Sequence, residues 1–341
     1  MLTIDLRSDT VTKPSQNMRE AMYTAPVGDD VLNEDPSIHQ LQEFAAHLFG
    51  MEDALFCSSG TQTNQIAIAC HTRPGDDVIC SSLSHIYLYE GGGIALNSGC
   101  SVSMVEGNNG KLTASMVQQL IQPDDIHKPR TTLVSLEDTV NKGGGTCYEL
   151  SDIKEIHALC KQKNLALHCD GARLFNAILA KNHDPKEYAS YFDSISICLS
   201  KGLGAPVGSL LLGKKAFIQE AKRKRKVFGG GMRQAGIIAA GALYALEHNR
   251  ARLQEDHIRA KEIETLLQKM PWCKTVVPVE TNIVIWQLST GIHSSTAVAK
   301  LKESNIQCFP FGEDKIRFVT HLDYTHQHHQ RLLDVLPTIL L

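Results

Sequence analysis

Two spacings of apolar residues alternate along most of this chain. Short apolar runs containing β-branched residues, each of strand length, are separated by stretches in which apolar positions recur three and four apart. The short runs are Ala54–Cys57, Asp77–Ser81, Ser101–Val105, Thr131–Glu137, Leu165–Cys169, Ser194–Leu199 and Ser209–Leu212. Helical spacing covers 113–121, 151–163, about 214–226 and 232–268, and a stretch reaching Cys70 after Ser58-Ser59-Gly60-Thr61. Alternation of this kind predicts βαβ units and a largely parallel sheet buried on both faces. Ahead of it, Pro14 and Ser15 start a helical pattern with Met18, Ala21 and Met22 on one face, and Asp35-Pro36 reads as an N-cap followed by Pro at the first helical position. The opening Ile4–Thr10 is too polar for a core strand and too short for a helix. The tail from Lys274 carries short strands at Val284–Trp286 and Ile316–Val319 and helical patterns at 294–304 and 325–337. The expected organisation is a large α/β domain over 1–250 and a smaller domain over 251–341.

Composition narrows the function. The 341 residues are 43% hydrophobic and 21% charged, with a net charge of −3, so one large core is within reach and no global field favours nucleic acid or an anionic membrane. No apolar stretch is long enough to span a bilayer. The first residues, MLTIDLRSDTVTK, include acids and lack an apolar core segment, which argues against a secretory signal. Ten cysteines without CxxC spacing suit reduced, buried thiols in a cytoplasmic protein rather than disulfides or zinc. The basic run Lys222–Lys226 reads as a solvated helix face with one or two residues free to bind an anion. His326, His328 and His329 are badly spaced for a shared metal and read as surface.

The candidate chemistry gathers where strands end, the edge at which open α/β sheets bind ligands. Asp170-Gly171 ends one run and Ser200-Lys201 ends the next, so a carboxylate and an amine reach the same edge. A carboxylate held against a heteroaromatic nitrogen keeps that ring an electron sink, and a Lys can hold an aldehyde as a Schiff base. Arg173, one turn beyond Asp170, can meet a substrate carboxylate. Ser58–Thr63 offers backbone N–H groups at a helix N-terminus, which suits phosphate, although it is neither a Walker loop nor a dinucleotide loop. His85 follows the Asp77–Ser81 run and can stack on a flat cofactor or handle protons, or be a packed cap. His127 lies in a comparable polar loop. Arg317 projects from a small-domain strand, where a structural salt bridge is the alternative to anion binding.

These residues sit in segments that resemble a known family. IDLRSDTVTKPS, PVGDDV, SSGTQTN, DDIH, LALHCDGARLFNA, ICLSKGLGAPVGSLL, GGGMRQAG, ARLQEDH and IRFVTHLD are similar, in order, to the low-specificity L-threonine aldolases. The resemblance spans nearly the whole chain. It implies the aspartate aminotransferase fold (fold type I) and pyridoxal 5′-phosphate (PLP) as cofactor, with an N-terminal segment 1–25 reaching the site. It further implies Lys201 as the aldimine-forming residue, Asp170 paired with the pyridinium nitrogen, and His85 stacked on the ring and able to transfer protons. Ser59, Gly60 and Thr61 would hold the phosphate, with Lys226 and Arg233 arriving from a neighbouring subunit. Ser8, Arg173 and Arg317 would bind the substrate carboxylate, and His127 would approach the β-hydroxyl. His85 and His127 both remain candidates for the base. The implied reaction is Cα–Cβ cleavage of a β-hydroxy-α-amino acid, threonine giving glycine and acetaldehyde, in a cytoplasmic homotetramer with shared sites and no metal. β-Elimination or transamination on the same cofactor is the alternative. Two departures from the family pattern stand near the expected site: Leu32-Asn33 where Tyr and Gly are common, and Val140 where the pattern has His.

Overall fold

The computed structural model describes residues 2–339. Numbered along the chain, β1 (Ile4–Asp5) lies apart from the central sheet. That sheet is made by β2 (Asp53–Cys57), β3 (Asp77–Ser81), β4 (Ser101–Val105), β5 (Thr131–Glu137), β6 (Ala166–Gly171), β7 (Ser194–Cys198) and β8 (Ser209–Gly213). Its order is β2-β8-β7-β6-β5-β3-β4, and every pairing is parallel except the two made by β8. The strand runs read from the sequence therefore form one sheet.

The sheet is apolar on both faces because both are covered. One face carries Ile79, Val134, Leu136, Leu167, Ile195 and Leu210 against helices Pro36–Phe49, Leu150–Lys163 and Gly236–His248. The other carries Leu55 and Leu211 against helices Gly60–His71 and Lys215–Val227, and Val78 and Leu133 against Ile68 and Ile94. A three-layer sandwich with a mostly parallel sheet follows from such doubly buried strands.

A second core lies in the C-terminal part. Strands β9 (Cys273–Val276), β10 (Ile283–Leu288), β12 (Phe309–Pro310) and β13 (Lys315–Val319) form an antiparallel sheet in the order β12-β13-β10-β9. The remaining strand, β11 (Ile306–Gln307), pairs in parallel with β1. This pairing departs from the expectation that the first residues form no strand. Ile4 and Leu6 are fully buried in the second core beside Trp286 and Phe318, while their N–H groups donate to Asn305 and Gln307 carbonyls at 2.9 and 2.8 Å. The period-2 signal is two residues long, too short to register against its polar neighbours.

The long helical pattern at 232–268 also divides, into Gly236–His248 and Leu253–Leu267. The break comes at Asn249, whose side-chain amide donates to the Leu203 carbonyl at 2.7 Å. Apolar spacing cannot report that polar tie, which fixes the turn following Lys201. Among the described residues no helix is long and apolar enough to cross a membrane.

Candidate active site

Five strand ends or following turns converge on one edge of the large sheet, and each delivers a functional group. β6 ends in Asp170 and Gly171. Side chains at 171 are excluded, since a Cβ there would come within 2.6 Å of the Ser196 carbonyl oxygen on β7. Asp170 is buried. One oxygen, Oδ1, accepts the Ala172 N–H at 3.2 Å, and the other, Oδ2, is buried without a partner among the described residues. An orphaned carboxylate oxygen is costly unless something outside the chain satisfies it.

His85 begins the short helix His85–Leu88 after β3. Its backbone N–H donates to Glu137 Oε2 at 2.6 Å, and its ring Nδ1 lies 3.0 Å from Glu90 Oε1. One ligating-type atom each from His85, Glu90 and Asp170 lies within 4.8 Å of the others, so the imidazole stands beside the orphaned carboxylate. Burial disfavours the charged ring. The Glu90 hydrogen bond and the Asp170 and Glu90 charges outweigh it, and His85 titrates above its ordinary range. Glu137, at the end of β5, is pushed up to about 7 by burial and by the neighbouring Asp170 charge.

Lys201 follows β7 in a turn whose Gly204 adopts φ +79°, a conformation open to glycine. The N-terminal segment closes over this turn, with Thr12 Oγ1 donating to the Lys201 carbonyl at 3.1 Å. Lys201 forms no ion pair among the described residues, and none joins it to Asp170. Beside it, Asp9 is fully buried. Burial would raise its carboxyl, but Arg173 and the charges of Lys201 and His321 hold it at about 2.

Arg173 does not point a free fork into the site. Its Nε and Nη2 donate to Asp9 at 2.8 and 2.7 Å in a buried bidentate pair. Arg317, on β13, has the opposite situation. Its Nη1 donates to Asn141 Oδ1 at 2.9 Å, its Nη2 to the Arg7 carbonyl at 3.2 Å, and its Nε is buried without a partner. Both partners are neutral. Burial, with the Arg173 charge nearby, lowers the guanidinium to about 10, and among the described residues this cation forms no ion pair. Ser8 lies next to this pair, its hydroxyl accepting the Thr10 N–H at 3.2 Å.

The phosphate-type turn sits at the end of β2. Ser59 caps helix Gly60–His71, accepting the Gln62 N–H at 3.2 Å and leaving the exposed first turn around Gly60 and Thr61. Across the sheet pairing, buried Ser209 Oγ has no partner and lies 3.6 Å from where a Gly60 Cβ would be. The basic run 222–226 reaches this region through Arg225. This residue is buried, donates to the Phe56 carbonyl at 2.7 Å and pairs with Asp30 at 2.7 Å. Lys226 and Arg233 are exposed, Arg233 pairing with Asp29 at 2.8 Å. His127 is also exposed. It precedes β5, at the opposite edge of the sheet from Asp170, and bonds Asp125 at 2.8 Å. The structure thus brings Ser8, His85, Asp170, Arg173, Lys201 and Arg317 together and leaves His127, Lys226 and Arg233 outside that group. Glu90, Glu137, Asp9, Asn141 and Arg225 are site residues that sequence reasoning did not single out.

Of the departing residues, Asn33 and Val140 have local settings that account for them, and nothing in the structure explains the exposed Leu32. Asn33 has φ +61°, the left-handed region that glycine occupies freely and Asn tolerates. Val140 is fully buried in the main core rather than turned to the site.

The sheet-edge site on a mostly parallel sheet, with its smaller C-terminal layer, is the fold type I architecture of PLP-dependent enzymes. A threonine aldolase from Leishmania major has the same fold, with a TM-score of 0.83 at 22% identity over 98% of this chain and 99% of that one. So does a structure of SPT holding PLP as its internal aldimine, with a TM-score of 0.76 at 16% identity over 98% of this chain and 87% of that one. The sequence model of the β-eliminating lyase family matches residues 5–290. The chain is 44% identical over 328 residues to the low specificity L-threonine aldolase of Escherichia coli K12, covering 95% of each. It is 39% identical over 332 residues to low-specificity L-threonine aldolase 1 of Arabidopsis thaliana, covering 95% of this chain and 93% of that one. The chain belongs to the β-eliminating lyase family, and within it to the low-specificity L-threonine aldolases.

Proposed function

We propose that the protein is a PLP-dependent lyase that cleaves the Cα–Cβ bond of β-hydroxy-α-amino acids, converting L-threonine or L-allo-threonine to glycine and acetaldehyde. The observation that carries this reading is the buried Asp170 Oδ2, without a partner among the described residues, on the same sheet edge as the Lys201 amine, which makes no ion pair among them. A protonated ring nitrogen satisfies the first and an aldehyde the second. The Gly60–Thr61 helix end and the unpartnered Ser209 hydroxyl suit a phosphate. When bound, PLP supplies an electron-poor ring, joined to the substrate nitrogen, that accepts the electron pair left at Cα.

The chain's own residues do the rest. Lys201 supplies the amine. Asp170 holds a positive charge at the far end of the site and keeps it protonated. Arg317 takes the substrate carboxylate as the anion it lacks, with Ser8 alongside. Arg173, committed to Asp9, keeps the N-terminal segment closed over Lys201. Orientation of the Cα–Cβ bond follows from fixing the carboxylate at one end and the amine at the other. His85 takes the β-hydroxyl proton, since it stands beside Asp170 whereas His127 lies across the sheet in the same chain. His127, Lys226 and Arg233 serve a neighbouring copy in a homotetramer with shared sites. Ten unpaired cysteines suit a cytoplasmic enzyme of threonine breakdown and glycine supply.

Incubation with L-threonine and PLP, assaying glycine plus acetaldehyde against ammonia plus keto acid, tests the reaction class. Ammonia and keto acid would assign β-elimination instead. Lys201→Ala should remove both the cofactor's absorbance band and turnover. Comparing L-threonine, L-allo-threonine and L-phenylserine then places the substrate preference.

A further inference from the structure

A buried hydrogen-bonded chain leads from His85 along one face of the sheet, beneath helix Gly60–His71, toward the rear edge. Glu90 accepts three N–H groups, from the His85 ring at 3.0 Å, Asn64 Nδ2 at 2.9 Å and Gln65 Nε2 at 2.6 Å. Behind it, Asn64 Oδ1 lies 3.1 Å from His168 Nε2, and His168 Nδ1 lies 2.8 Å from Ser194 Oγ. Ser194 Oγ lies 2.8 Å from His71 Nε2. Asn64, His168 and Ser194 are fully or almost fully buried.

With both buried rings neutral, the polarity of the chain is fixed. A carboxylate only accepts, so Asn64 must turn its amide nitrogen to Glu90 and its oxygen to His168. His168 must then carry its proton on Nε2 and accept at Nδ1 from the Ser194 hydroxyl. Ser194, having given its proton, accepts from His71 Nε2–H. The rings are held neutral by burial, which drives His168 down to about 3 and His71 to about 4. At the front end the same carboxylate requires a proton on His85 Nδ1 and leaves Nε2 with its lone pair.

Resting on the aldolase reading for its kinetic part, we propose that Glu90, backed by Asn64, His168, Ser194 and His71, is a positioning assembly that fixes His85 as the Nδ1–H tautomer and stabilises its imidazolium. Glu90 stands to His85 as the buried acid stands to the histidine of a serine-protease triad. Glu137, Asp170, Lys201 and Tyr89 also face the ring, but none is hydrogen-bonded to its nitrogens.

The test compares the holoenzyme with Glu90→Gln and Ser194→Ala. Removing the Glu90 charge lowers the basicity of His85, so the acid limb of kcat/KM moves to lower pH and kcat falls roughly 10²-fold or more, the scale of a general base. Ser194→Ala, a strand length away, should move the limb the same way by less, because the loose His168 no longer orients Asn64. An unmoved limb in Ser194→Ala, with Glu90→Gln shifted, would overturn the extended chain. Imidazole nitrogen NMR, with His85 assigned by a His85→Asn difference spectrum, reads the tautomer without turnover. A neutral ring with its proton on Nε2 rather than Nδ1 in the wild type would overturn the whole proposal. Failure of the aldolase reading would instead appear as no glycine from threonine, with the tautomer result intact.

Discussion

The inner wall of the site and its outer rim are built on different terms. Along the wall, Glu137, His85 and Glu90 are joined by hydrogen bonds, Arg173 is paired with Asp9, and Asp170 lies buried beside His85, all within one chain. Along the rim, Val31, Leu32, Tyr87, Leu88, Tyr89 and Val227 are exposed apolar residues, with exposed Lys226 and Arg233 near them. The wall carries charge in a dry, preorganised setting, where an interaction counts for more than it does in water. The rim is exposed apolar surface, which the homotetramer proposed above would cover. On the proposed reading the chemistry is intrinsic to the chain, and a neighbouring copy would complete the site at the rim.

If the wall is self-sufficient, its substitutions should cost most. Asp170→Ala should leave the fold intact and reduce threonine cleavage by about 10³-fold, the scale of losing one preorganised electrostatic partner. Near-normal turnover, measured as acetaldehyde release, would break the assignment of Asp170. Arg317→Leu tests the neighbouring pocket. Losing a charge-assisted contact worth about 1.5–3 kcal/mol should lower kcat/KM for threonine about 10- to 150-fold. A loss confined to kcat would show that Arg317 does not bind the ground-state carboxylate.

The rim calls for a different experiment. Co-expressed Lys201→Ala and Arg233→Ala copies should together recover activity that neither shows in full alone, because an intact Lys201 wall meets an intact rim from its neighbour. The His127→Ala copy should complement in the same way. Activity that simply averages the two parents would place every functional group within one chain and erase the distinction between wall and rim.

The wall was partly legible because its main members sit where apolar runs stop. Asp170, Lys201 and His85 could be placed at one sheet edge from strand spacing alone, and the sheet itself emerged from the same signal. Glu90 was not legible. Its meaning comes from Asn64 and Gln65 on another helix, and no local pattern encodes a contact across that distance. Arg225 was hidden inside a run of five basic residues, only one of which is buried against the Phe56 carbonyl. Arg173 was legible as a cation near the site, but its commitment to Asp9 depends on how the N-terminal segment folds back. The rim was least legible, because exposure is a property of the folded surface.

The smallest effect tests how dry the wall is. Asp138, next to Glu137, is fully buried, accepts the Tyr188 hydroxyl at 2.8 Å on one oxygen and leaves the other unpaired. Burial pushes its carboxyl from an ordinary 3.8 up to about 7. Between those values the native state keeps a proton that the unfolded chain has released. Stability should therefore be fully present below pH 4 and decline as pH rises toward 7, by at most about 1.4 kcal/mol per pH unit from this group. Asp138→Asn removes the titration, so urea midpoints measured from pH 4.5 to 7.5 should fall less steeply in the variant than in the wild type. Parallel slopes would mean that Asp138 is ionised or hydrated in the native protein, and that water reaches behind the wall.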